Sequence, residues 1–159
     1  MSQIASFTVL KASDVPHLGF WSKPKPRLLR KPKNMFHELL RPHVLREQIF
    51  GDADGAYVAL VFAWIDSLDK RFSDRTDPAV ETLRKNLGGS HWLMKSTDAP
   101  LVASLGKPLA ESEWPTFLRR IDVENESEFE WSAFEAARLF VRDRLHELKA
   151  NEAMLVSIG

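Results

Sequence analysis

Cysteine is absent from this chain of 159 residues, and with it go disulfides, thiol nucleophiles and thiolate metal sites. Long apolar runs are missing too. The longest, AYVALVFAWI at 56–65, is half the roughly 20 residues that a membrane-spanning helix requires, and acids stand on both sides of it. The first residues hold no basic segment followed by an apolar stretch, so no secretory signal is expected. A cytoplasmic location is the resulting expectation. There is no net charge, since 22 Lys and Arg balance 22 Asp and Glu. Hydrophobic residues at 44% and charged residues at 28% are the balance of a globular protein, and the length suits a single domain over 1–159.

The zero net charge hides an asymmetry. Residues 1–50 carry nine basic and three acidic side chains, whereas 111–159 carry six basic and eleven acidic ones. The basic end is concentrated in WSKPKPRLLRKPK, 21–33, which has six cations, three prolines and no acid. Its prolines disfavour helix, so an extended loop is expected, pinned by Leu28 and Leu29. As a nucleic-acid arm it has charge but no interleaved aromatics for stacking. As a polyproline ligand it lacks Pro-x-x-Pro. A solvated loop ranks first, a protein-binding surface second and a nucleic-acid arm third. The binding residues under the second reading are Trp21, Lys23, Lys25, Arg27, Arg30 and Lys31, facing a partner with an acidic surface.

ASFTVL at 5–10, HWLMK at 91–95 and AMLVSIG at the end alternate apolar and polar residues, which predicts strands. Ser13 reads as the cap of a short helix to Leu18, and NMFHELL as a helix that Pro42 interrupts. VLREQIF reads as another helical turn or two. Ala53–Phe72 is the strongest helix, apolar on two sides and therefore central. Asp77-Pro78 starts a helix that Gly88-Gly89 ends. Ser96–Asp98 caps a helix to Leu105, Ser112 caps SEWPTFLRRI, and a long helix runs over about 131–149. The whole reads as α+β, mostly helical, with a small sheet built from both termini and a middle strand.

Chemistry-bearing motifs are few. In Gly88-Gly89-Ser90-His91 the glycines follow a helix and precede a strand, the reverse of a phosphate loop. The five histidines form no tight ligand pair; His43 and Glu47 stand at helical spacing and nothing more. No metal or cofactor is expected. Glu124, Glu126, Glu128 and Glu130 read as a solvated, self-repelling run before a helix. Of five tryptophans, Trp64, Trp92 and Trp131 fall on apolar faces. Trp21 and Trp114 are the two free to serve as interface anchors, although lids over a satellite cluster account for them slightly better.

FTVLKASDV as strand and capped helix, LGGSHWLMKS as glycine turn and strand, and FEAARLFVRDRLHELKANEAMLVSIG as long helix and terminal strand resemble the YfbM-like family. That family comprises small bacterial α+β proteins of uncharacterised function. The resemblance covers about a third of the chain. It implies a bacterial cytosolic protein and supplies no catalytic residue.

The leading functional reading is a non-catalytic protein that binds another protein, as an inhibitor or immunity-type partner does. The second is an enzyme whose site is assembled from scattered residues, with His91, Arg119 and carboxylates as candidates if they converge. A nucleic-acid binder is third.

Overall fold

The computed structural model describes residues 3–27, 30–51, 55–68, 77–88, 90–123, 127 and 129–159. Strand β1 (Ala5–Lys11) runs into a 3-10 turn at Ala12–His17 and a short helix α1 (Leu18–Trp21). Ser13 lies inside that turn and is not its cap. The proline-rich run is extended as expected, and forms a hairpin of β2 (Lys25–Arg27) and β3 (Arg30–Lys33). Leu28 and Leu29 lie outside the described residues. The Asn34 carboxamide accepts the Phe36 N–H at 2.8 Å at the start of helix α2 (Phe36–Leu40). Pro42 ends it in a 3-10 turn at Arg41–His43.

Val44–Phe50 is then a strand, β4, where the sequence predicts helix. Leu45, Arg46, Glu47 and Gln48 do favour helix intrinsically. An antiparallel ladder against β1 overrides that preference, pairing Ala5 with Phe50 and Val9 with Arg46. Between Val9 and Leu10 the register shifts so that Leu45 has no partner, a β-bulge. This also dissolves the helical spacing of His43 and Glu47. The His43 ring meets Asp14 at 3.2 Å, while Glu47 takes the Thr8 hydroxyl at 3.4 Å.

Helix α3 (Gly55–Ser67) buries Val58, Phe62 and Ile65 on one side and Val61 and Trp64 on the other, as expected of a central helix. Its first residue must be glycine. A Cβ there would stand 2.3 Å from the Gln3 carbonyl oxygen. Helix α4 (Pro78–Leu87) opens with the Asp77 carboxylate accepting the Ala79 N–H at 3.0 Å. It closes on Gly88, whose φ of 66° favours glycine. Strand β5 (Ser90–Lys95) is followed by a 3-10 turn at Ser96–Asp98 and helix α5 (Pro100–Leu105). Another 3-10 turn at Glu111–Glu113, which contains Ser112, leads into α6 (Trp114–Arg120). Helix α7 (Trp131–His146) and strand β6 (Glu152–Ile158) complete the chain.

The fold is α+β. Strands β1, β4, β5 and β6 form one antiparallel sheet in the order β4-β1-β6-β5, so both terminal strands lie at its centre. Strand β6 is buried on both faces apart from Ser157. On one face Phe7, Val9, Met94, Met154 and Val156 join α3 and α7 in the larger core. On the other, Leu10, Leu93, Ala153 and Leu155 join α1, α2 and α4 in a smaller one. No helix among the described residues is long and apolar enough to cross a membrane.

Candidate functional site

The smaller core covers only part of its sheet face. Beyond it lies a row set by the ladders, Ile49–Ser6–Ser157–His91, running across all four strands. Ile49 is 61% exposed, and Leu45 on the same strand and Ile4 before β1 are 47% and 41% exposed. A groove of about 540 Å³ opens on this face. Ser6, Thr8, Leu155 and Ser157 form its floor, and His37 of α2 and Arg41 of the turn after it stand in its wall.

His91 and Ser157 are cross-strand neighbours, with Nδ1 and Oγ 2.9 Å apart. Burial pushes the His91 ring below its ordinary value, and the charges of Arg84 and His37 push the same way against a hydrogen bond to the Gly88 backbone. Arg119, the other scattered candidate, does not join it. Its Nε donates to the Pro115 carbonyl within α6. A second cleft of about 300 Å³ lies between α3 and α6, edged by Trp64, Glu113, Phe117 and Arg120. Among the described residues no three His, Asp or Glu side chains converge as a metal site.

The two sheet edges differ. At β5, Arg84 Nε donates to the His91 carbonyl at 2.8 Å, and the Lys95 N–H donates to the Asp98 carboxylate at 2.7 Å. Side chains thus occupy backbone groups that a further strand would need. At β4 the side chains bond inward instead. Arg46 reaches Glu152, Glu47 reaches Thr8 and Gln48 reaches Arg144. Among the described residues no segment pairs with the outer side of β4.

Trp21, singled out in the basic segment, does not line this groove. Trp21 is 8% exposed, with its ring centroid 4.4 Å from that of His43 and 5.7 Å from that of His17. It closes the smaller core and offers a partner little surface. Trp114 is likewise committed: it stacks on Trp131 at 4.1 Å and its Nε1 donates to the Leu109 carbonyl. Lys23 and Lys25 are exposed, and the backbones of Arg27, Arg30 and Lys31 belong to the hairpin. Glu124, Glu126 and Glu128 lie outside the described residues.

Sequence reasoning misses Ser157 and the β4 edge. The alternation of the last strand marks Ser157 as the one small polar residue among apolar ones, which is a weak signal. No family model, curated protein or solved structure matches the chain.

Proposed function

We propose that this protein is a binding module for another protein, which it engages by accepting an extended segment along β4. The observation that carries the reading is the contrast between edges: β5 is closed by Arg84 and Asp98, while no described segment pairs with the outer side of β4, which carries exposed Leu45 and Ile49. Strand addition draws affinity from main-chain hydrogen bonds and specificity from alternate side chains. A second copy is a poor occupant. The most central symmetric pairing sets Glu47 against Glu47, and of the two registers beside it one sets Arg46 against Arg46, and like charges directly opposed are unfavourable. The partner segment instead carries an apolar residue beside Ile49 and a cation beside Glu47. Exposed Lys23 and Lys25 suit an acidic patch elsewhere on that partner, where rim charges speed encounter more than they hold the complex.

The test is selection of displayed strand-forming peptides on the intact protein, followed by amide chemical-shift mapping. Enriched peptides should alternate apolar residues, shift the β4 amides, and lose at least tenfold in affinity to an Ile49→Lys variant that melts like the parent. Failure to enrich any peptide, or shifts centred away from β4, would count against the reading.

A further inference from the structure

We propose that Ser157 is a covalently reactive serine with His91 as its general base, and that the groove admits an activated carboxylic ester with a short apolar acyl chain. This inference stands apart from strand addition at β4. Ser157 Oγ and His91 Nδ1 are 2.9 Å apart, within the reach proton transfer requires. The strand ladder sets the two residues directly opposite each other, so the contact is built into the register. Ser157 is the one residue of β6 that is not buried, and it lines the groove floor next to Leu155, with Leu40 and Val44 nearby to receive the acyl chain.

The base must be neutral to work. Burial favours the neutral ring against a hydrogen bond to the Gly88 backbone, and the electrostatics of Arg84 from α4 and His37 from α2 favour it too. With the ring proton on Nε2, the Nδ1 lone pair meets the Ser157 hydroxyl. Oγ then bonds to the ester carbonyl carbon while Nδ1 takes the hydroxyl proton. Collapse of the tetrahedral adduct breaks the carbon–oxygen bond to the leaving alkoxide, which takes that proton from His91. The products are an acyl-serine and a free alcohol. The backbone around Ser157 is committed to ladders with β1 and β5, so it offers no oxyanion hole of its own. A single such donor contributes about 10²–10³ in rate. Single-turnover capture is therefore expected, not rapid hydrolysis.

The experiment treats the full chain with p-nitrophenyl butyrate and locates the butyryl group by peptide mass spectrometry. One group on Ser157 is expected at pH 7.5, absent in Ser157→Ala and reduced at least tenfold in His91→Gln. At pH 6.5 the parent should retain more of its pH 7.5 labelling rate than the roughly 55% that an unperturbed histidine would keep. Labelling confined to lysines, labelling of Ser157 undiminished in His91→Gln, or a rate indifferent to pH between 5 and 8 would each overturn the proposal. If His91→Gln does not fold, the Ser157→Ala map and the pH profile of the parent decide alone.

Discussion

Arg46 on β4 grips Glu152 on β6 across the full width of β1, with Nη1 to Oε1 at 2.9 Å and Nη2 to Oε2 at 2.8 Å. The Lys149 N–H adds a third bond to the same carboxylate at 3.0 Å. The Arg46 hydrogen bond pulls the Glu152 carboxyl below the usual range, and burial, which opposes this, does not win. The pair ties the edge strand β4 to β6 at the centre of the sheet.

Because the folded value is depressed, the contact contributes stability that is fully present above the unfolded value of about 4.3. It is lost as pH falls through the folded value. Glu152→Gln should therefore flatten the acid side of a melting-temperature profile below about pH 4.3. Arg46→Ala should cost about 1–3 kcal/mol at pH 7, a charge-assisted bond discounted because the guanidinium is about one-third exposed. An acid limb as steep in Glu152→Gln as in the parent would show that the pair does not set the pH response.

The legibility of this molecule follows the range of its interactions. Strands β1, β5 and β6 show in the sequence because short apolar stretches rich in strand formers are a local signal, although β6 is buried on both faces instead of alternately. Helix α3 shows because apolar residues recur on both its sides at helical spacing. Strand β4 does not show. Its helix-forming centre obeys local preference, and only the distant β1 ladder makes it a strand. The candidate site is hidden for the same reason, since His91 and Ser157 are 66 positions apart and meet only through register. Trp21 illustrates the converse: the residues that follow it in sequence are polar and basic, yet two histidine rings and the smaller core enclose it.

Trp64 tests the central helix. It is 6% exposed and meets Phe134 edge to face at a centroid distance of 6.3 Å, joining α3 to α7. Trp64→Ala should cost about 3–5 kcal/mol, the usual loss for a large buried aromatic. Val61, fully buried on the same helix, should tolerate aspartate still less, because an unpaired charge would enter the core. Denaturant titration measures both. A change below about 1 kcal/mol at Trp64 would place it with surface substitutions and undo the assignment of helix faces.

The basic segment gives the last prediction. Six cations between residues 21 and 33 have the charge of a phosphate-gripping arm, and about six phosphate contacts would lower affinity roughly a thousandfold between 50 and 200 mM salt. Trp21, the aromatic at the head of the segment, is buried against His17 and His43 and offers a base no face, which leaves Phe20 as the exposed aromatic beside the charge. The chain as a whole is neutral, and its acidic end repels the same polyanion. No measurable binding to random-sequence DNA or RNA is therefore expected at 150 mM salt. Lys23 and Lys25 are exposed, and replacing both with serine should change stability by less than about 0.5 kcal/mol, as surface charges generally do. Fluorescence anisotropy with labelled oligonucleotides across a salt series checks the first expectation and a thermal melt checks the second. Tight binding that weakens steeply with salt and disappears in the double-serine variant would move nucleic acid from the least favoured partner to the first.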